Sequence, residues 1–504
     1  MKRRLLAGVC VAAMMGLQVG CSGGAAPTTQ AALDQKAEET KAAGERKEAA
    51  SQEPTQIWVA IREDINNFPE GTMDILKESV KEKFNVDLKI DCISQSSYEE
   101  KLNVMIASGS FPDIIRCEAI PRLGEAVEGG LLLPMTEFVK NDALWSTADP
   151  VIFGKYSYKG EIYGLPTVLD RPDSIYYRTD WLEKLGLSVP TTTDELYEVL
   201  KAFAKNDPDG NGQDDTYGLT FPSNYLQTAP LWQLFLKGNP LDPNDFGFYT
   251  DPETNQADNV FNHKEDVAEA LIWFNKLYEE GILDKEFVLN TKEDAENKFV
   301  TGKAGAWVKG LMFIEPRQAK AAAANPDAKI LSFPNIEGKY GTNLKIQPMG
   351  GSYYLTRSAQ GKEDIARQVL AYIAGPEGAT NMWIGKEGVT YNIEGDKINW
   401  TNPDDAKKYN PGNLLLNPFP VDLPVPSTLL EANMKETEGY EMVPSIQTWN
   451  SPTYNEKGAD MKKVIIEGIT KIIIGEEPIE YLDTMIETLN SLGMQEVCNE
   501  LNSK

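Results

Sequence analysis

The chain has 504 residues, 76 acidic against 49 basic side chains, and a formal net charge of −27. At about 150 residues per domain its length suggests two or three domains, and 41% apolar residues can bury sizeable cores. The acidic excess argues against a phosphate-backbone binder or a basic lipid-binding face, and the single histidine, His263, excludes a multi-histidine metal centre.

The chain opens on the basic run Met1-Lys2-Arg3-Arg4. About thirteen apolar residues follow, Leu5 to Leu17, too few to span a bilayer and matching a signal h-region. Leu17-Gln18-Val19-Gly20-Cys21 resembles the lipobox of bacterial lipoproteins, with Gln18 where that motif usually has Leu. The resemblance implies cleavage before Cys21 and a lipid on its thiol, making residues 1–20 a signal peptide. An ordinary secretory signal or an uncleaved anchor is the alternative. Loss of Lys2, Arg3 and Arg4 with the leader takes the formal charge from −27 to −30. Residues 21–53 read as a tether, polar and without aromatics over 25–52, and the folded body is expected to begin near Pro54. Nothing later is long and apolar enough to cross a membrane as a helix. Cys92, Cys117 and Cys498 remain in the body, too few for a disulfide framework. A Cys92–Cys117 bridge is conceivable, but buried free thiols are the favoured reading.

In the body, Ile57–Ile61 reads as a strand, 72–84 as a helix, Val86–Ile90 as a strand, 98–108 as a helix ending at Gly109, and Asp113–Cys117 as a strand. This alternation predicts a parallel sheet with helices on both faces and ligands beyond the strands' carboxyl ends. Arg62, Glu63, Asp64, Gln95 and Glu118 follow those ends. A hairpin-like turn at 158–166 comes next, then a helix from about 194 to 205 with Thr193 as its expected cap.

Three segments are distinctive: Tyr-x-x-Lys-Gly-x-x-Tyr-Gly-Leu-Pro at 156–166, Tyr-Tyr-Arg-x-Asp-Trp-Leu-x-x-Leu-Gly at 176–186, and Val-Pro-x-Thr-x-Asp-Glu-Leu at 189–196. With Tyr98–Leu102, Ser108–Ile114, Phe299–Trp307 and Met349–Leu355 in order, they resemble the carbohydrate-type extracellular solute-binding proteins of ABC importers, with the maltose-binding-protein architecture. Lys386–Tyr391 and Ile472–Ile479 are similar to the Gram-positive lipoproteins of that family. The resemblance covers most of residues 55–490. It implies an α/β, two-lobed periplasmic-binding-protein-like fold, each lobe a sheet flanked by helices, with the ligand cleft between lobes. The chain should cross between lobes near 166–172, 345–350 and 393–405. That assigns 54–168 plus 348–395 to lobe 1 and 169–347 plus 396–504 to lobe 2.

Asp207-Pro208-Asp209-Gly210-Asn211-Gly212-Gln213-Asp214-Asp215 resembles the first nine positions of an EF-hand loop. Asp207, Asp209, Asn211, Gln213 and Asp215 would supply oxygens to calcium, and Gly212 the sharp turn. Position twelve is Gly218 instead of Glu, so Asp214 or Thr216 would have to close the site. The implied role is structural, bracing the second lobe; an Asp/Asn/Gly-rich turn without an ion is the plainer alternative.

Sugars present apolar ring faces edged by hydroxyls, so a site for them needs flat aromatics with carboxylates and amides. The aromatic candidates are Trp307, Trp449, Trp383, Tyr391, Tyr176 and Trp232; the polar ones are Glu63, Glu118, Asp170 and Arg171. Trp58 and Trp181 read as structural and His263 as a solvated surface residue. The resemblance implies a monomeric, lipid-anchored receptor outside the cell membrane, not an enzyme. It would close on a carbohydrate, an oligosaccharide in the first instance, and pass it to the permease subunits of an importer. A secreted polysaccharide hydrolase and a surface lipoprotein with a sensory or adhesive role are the alternatives. No Gly-x-Ser-x-Gly, His-Glu-x-x-His or Walker motif favours the hydrolase.

Overall fold

The computed structural model describes residues 53–503 except 118–122, 168–172, 224, 226–227, 243–244, 312–313, 344, 347–349, 396, 410, 416, 426, 437–438 and 444–445. The leader, Cys21 and nearly all of the proposed tether lie outside the described residues. Two sheets organise Thr55–Lys504. In chain order the elements that matter are β1 (Thr55–Ile61), α1 (Thr72–Phe84), β2 (Val86–Cys92), α2 (Tyr98–Ser108), β3 (Ile114–Cys117), β4 (Gly164–Pro166), β5 (Asp173–Arg178), α3 (Thr193–Lys205), β6 (Tyr217–Thr220), β7 (Ala304–Gly310), β8 (Ile330–Ser332), β9 (Ser352–Leu355) and α4 (Pro452–Ile473).

The first sheet has the order β2-β1-β3-β9-β4. β1 pairs in parallel with both β2 and β3, as the strand–helix alternation requires, and β9 joins antiparallel between β3 and β4. Alternate residues serve opposite faces. Ile57, Val59, Ile61, Ile114, Tyr353 and Leu355 enter one core with Leu76 and Val80 of α1. Ala60, Ile115, Cys117 and Tyr354 enter another with Tyr98. The second sheet has the order β8-β5-β7-β6. Ile175, Tyr177, Ala306 and Val308 face a large core that includes Ile465 and Ile469 of α4, while Tyr176 and Trp307 face a smaller one with Phe299, Ile314 and Ile330.

Two expectations change, the cap of one helix and the place of the third crossing, while the favoured free-thiol reading of Cys92 and Cys117 holds. The cap of α3 is Thr192, not Thr193: its hydroxyl accepts the amide of Glu195 at 3.3 Å, and the Glu195 carboxylate accepts the Thr191 amide and hydroxyl in return. Cys92 and Cys117 sit on strands separated by β1, two strand spacings or about 9.6 Å apart, beyond the roughly 7 Å a disulfide spans between α-carbons. The third crossing lies later than 393–405. The hairpin of Tyr391–Glu394 with Lys397–Trp400, and then Leu414 and Phe419, still pack on the first core. Phe419 meets the Trp145 ring edge-on at 4.9 Å, and Asp405 accepts the Glu70 amide at 2.9 Å. Leu415 already packs against the smaller second-sheet core, and Leu429 and Leu430 follow it there.

Candidate functional site

Register places the site. Cys117 at the carboxyl end of β3 is opposite Ser352, and Ser352 is opposite Pro166, so these ends form one edge of the first sheet. In the second sheet Gly310 at the end of β7 is opposite Asp173 at the start of β5. Only residues 167–172 join Pro166 to Asp173, which holds the two edges within roughly 24 Å at about 3.4 Å per residue. The edges therefore bound one gap.

The floor of the gap is polar. The Thr167 amide and hydroxyl both donate to the Gly351 carbonyl, at 2.7 and 2.8 Å, tying two of the crossing segments together. The Tyr156 hydroxyl donates to the Gly350 carbonyl at 3.1 Å. Gly351 has no room for a side chain, because a β-carbon there would lie 2.6 Å from the Arg116 guanidinium. Arg116 is buried, and its Nε, the Ser352 hydroxyl and the Tyr98 hydroxyl are shielded from solvent without hydrogen-bond partners. Burial pushes the Tyr98 phenol well above its ordinary value.

Away from the floor, the turn before α4 reaches across to the first lobe. Gln447 Nε2 donates to the carbonyls of Gly154 and Ser157 at 2.6 and 2.9 Å. Trp449 follows, half-buried, with Lys155 Nζ 5.5 Å from its ring centroid. Lys155 Nζ, Trp449 Nε1 and Asp245 Oδ2 are all shielded and lack partners. Asp245 Oδ1 accepts the Thr448 hydroxyl at 3.2 Å, and burial pushes its carboxyl up to about 8.

Of the sequence candidates, Trp449 lies in this gap. Glu63 lies just past β1, half-buried, its carboxylate accepting from Asn67 at 2.6 Å. Glu118, Asp170 and Arg171 lie outside the described residues. The others are core residues here. Trp307 is mid-strand, stacked between Tyr176 at 6.1 Å and Phe299 at 5.7 Å. The Tyr176 hydroxyl is spent on the carbonyls of Gly310 and Leu311. Trp232 packs on Phe274 at 4.5 Å, Trp383 on Phe68 at 4.6 Å, and Tyr391 on Trp400 at 5.9 Å. All five of these side chains are buried in this conformation. Sequence reasoning missed Arg116, Tyr98, Lys155 and Asp245. Their signal, a charged group inside an otherwise apolar run, was present for Arg116 in Ile114-Ile115-Arg116-Cys117 and for Lys155 in Val151-Ile152-Phe153-Gly154-Lys155-Tyr156.

The 207–215 loop turns as an EF-hand does over its first positions. Asp207 accepts the Gly212 amide at 3.1 Å and Asn211 accepts the Gln213 amide at 2.7 Å. Asp207 Oδ1 is shielded and unpartnered. Burial works to raise the Asp207 carboxyl, but the Gly212 amide and other donors hold it below the ordinary range. Lys303 Nζ lies 2.6 Å from Asp215, holding that carboxyl low as well. Among the described residues no three acidic, histidine or cysteine side chains converge at metal-ligating distance. Gly218 brings no side chain to position twelve, and none would fit: a β-carbon there would lie 2.1 Å from the Leu200 carbonyl. The buried Thr216 hydroxyl donates to the Phe203 carbonyl at 2.8 Å. His263 is paired and not merely solvated: its Nε2 lies 2.7 Å from Asp258 and 3.2 Å from the Tyr249 hydroxyl.

Comparison with known proteins agrees with this architecture. Residues 68–380 match the family described as bacterial extracellular solute-binding protein. The chain is 27% identical over 443 residues to lipoprotein LipO of Bacillus subtilis, covering 82% of this chain and 86% of that one. It is 25% identical over 523 aligned positions to the polygalacturonan/rhamnogalacturonan-binding protein YtcQ of the same organism, covering 99% and 98%. Among solved structures, an EF-hand mutant of the Streptococcus pneumoniae ABC-transporter substrate-binding protein FusA, in complex with fructo-nystose, aligns with a TM-score of 0.59 at 18% identity. It covers 89% of this chain and 98% of that one, a likeness of fold.

Proposed function

Because the chain belongs to the bacterial extracellular solute-binding proteins, we propose that it captures an oligosaccharide between its lobes and hands it to the permease of an ABC importer. The observation that carries this reading is Trp449, an indole held half-buried at the contact of the two lobes beside the Gln447 bridge to Gly154 and Ser157. Opening the lobes breaks that bridge and frees the ring; closing re-forms it around whatever lies in the gap. A ligand that touches both lobes favours the closed state by its differential affinity, and no bond in it is broken. The carbohydrate names of YtcQ and FusA support the ligand class.

Cys21 is proposed as the lipid-bearing mature N-terminus, with residues 21–53 as the tether of a monomeric receptor on the outer face of the cell membrane. The lipoprotein name of LipO supports this, and among the described residues no helix is long and apolar enough to cross a membrane. The test is Cys21→Ala, which should release the protein from the membrane fraction; continued membrane retention would contradict the anchor.

Calcium is the proposed structural ion. Asp207, Asp209, Asn211, the Gln213 carbonyl and Asp215 would hold it, and the EF-hand-type turn and the shielded, unpartnered Asp207 Oδ1 fit a hard cation. Lys303 would have to leave Asp215 to make room.

The binding reading is tested by titrating the mature chain with a panel of neutral and acidic oligosaccharides by calorimetry. Saturable binding with the sugar recovered intact is expected; recovery of cleaved sugar would move the protein to the hydrolases.

A further inference from the structure

The third crossing brings the lobes together at a second place. Leu414 and Leu415 are neighbours in the helical turn Gly412–Leu415, yet Leu414 is buried in the first core and Leu415 packs on the smaller second-sheet core, which includes Ile314. Two polar side chains flank this turn, one from each lobe. Tyr409 belongs to the first: it packs on that core, half-buried, with the Trp400 ring 5.5 Å away at 51°. Glu315 belongs to the second, next to Ile314 in the helix Ile314–Ala324, soon after the end of β7 that bounds the gap. Its carboxylate accepts the Ser427 hydroxyl. The Tyr409 hydroxyl is shielded from solvent and, among the described residues, has no hydrogen-bond partner. Burial and then the charge of Glu315 push this phenol above the ordinary range, so the two groups lie within electrostatic reach across the lobe boundary, unbonded. A shielded hydroxyl left unpaired is a cost to the fold unless something meets it.

We propose that Tyr409 and Glu315 form a subsite for an uncharged, hydroxyl-bearing sugar ring, one ring hydroxyl donating to the Glu315 carboxylate and a neighbouring one meeting the Tyr409 hydroxyl. The inference rests on the reading of the gap as an oligosaccharide cleft, and adds the residues and the polarity of one position in it. A carboxylate only accepts, while a phenol donates or accepts, so a pair of ring hydroxyls satisfies both. A uronate here would set a second carboxylate against Glu315. The cations nearest in sequence are engaged elsewhere, Lys408 with Asp405 and Arg317 with Glu296, each at 2.8 Å. A ring that meets both residues bridges the lobes. Its contacts are complete only when the lobes are closed, which ties this position to closure. Opening parts Tyr409 from Glu315 and admits the ring.

The test is calorimetry on the mature chain with maltotriose, cellotriose, kestose and trigalacturonic acid. Tyr409→Phe removes only the hydroxyl and should lower affinity for the neutral sugar that binds by about fivefold. Its melting temperature should be unchanged or raised, because the lost group was unpaired. Glu315→Gln keeps an acceptor for Ser427 and should lower the same affinity about tenfold. Both residues hold one ring, so Y409F/E315Q should lose less than the product of the two single losses. Trp449→Ala, at the other lobe contact, should combine with either variant as a simple product. Affinities within about twofold of wild type in both single variants overturn the subsite and leave the oligosaccharide reading in place. A loss in E315Q alone, with a lower melting temperature, also overturns it, since that is the mark of a structural role for Glu315. Binding confined to trigalacturonic acid overturns it as well. Absence of binding to the whole panel overturns both.

Discussion

Two tryptophans separate packing from recognition. Trp307 is enclosed by Tyr176 and Phe299 on the inner face of the second sheet, whereas Trp449 is half-buried between lobes. Trp307→Ala should cost about 3–5 kcal/mol in urea unfolding, the range for deleting a buried aromatic. Trp449→Ala should cost little stability and at least tenfold in saccharide affinity by calorimetry. If both variants lost stability and affinity together, the assignment of Trp449 to the cleft would fail. Asp245 offers a pH test. Burial raises its folded carboxyl to about 8, so the folded state holds a proton that the unfolded chain releases near pH 4. Stability should therefore fall as pH rises from about 4 to 8. Asp245→Asn removes that dependence, so its melting temperature should exceed wild type by a margin that grows toward pH 8 and vanishes near pH 4. A margin independent of pH would show that Asp245 is charged in the fold. At this scale the sequence was least legible. Trp449 and Trp307 are the same residue type in short polar-to-apolar contexts, and only the register of β7 against β5 and β6 shows which is enclosed.

At the scale of elements, legibility was higher, because periodicity follows from local geometry. α1 and α2 begin and end where the apolar spacing and the end residues place them, Asn85 closing α1 in the left-handed region at φ 52°. The hairpin at 391–400 has turn chemistry like a linker, yet Tyr391, Ile393, Ile398 and Trp400 pack on the first core, Trp400 against Tyr409 at 5.5 Å. The 207–215 loop was legible as a motif, but its closure was not: Gly218 and Thr216 are committed to the packing of β6 on α3. Calcium added to the EDTA-treated mature chain should raise the melting temperature, by about 2.7 kcal/mol of stabilisation at a hundredfold excess over Kd. Asp209→Asn should abolish the rise, and Lys303→Ala should strengthen calcium binding by freeing Asp215. An unchanged melting temperature in calcium would remove the ion from the account. Near the single histidine, burial opposes ionisation of Asp258, yet Asn262, His263 and the Asn259 amide hold its carboxyl below the ordinary value. Its contribution is present above the unfolded pKa and lost as pH falls through the folded one. Asp258→Asn should thus destabilise at neutral pH, with the difference disappearing in strong acid.

For the whole molecule, two sheets with separate cores joined by short segments make relative lobe motion the natural degree of freedom. The Gln447 bridge and the unpartnered groups of Lys155, Trp449 and Asp245 sit where that motion opens and closes. Closure on a saccharide that touches both lobes adds contacts that closure without it lacks. This is the physical reason for expecting ligand, not spontaneous closure, to set the population of the closed state. The most direct measurement is the radius of gyration of the mature chain by small-angle X-ray scattering, titrated with oligosaccharide. The account predicts a saturable decrease at the same concentrations at which calorimetry reports binding, reduced by Trp449→Ala. A radius unchanged at full saturation would contradict closure of the lobes on the sugar.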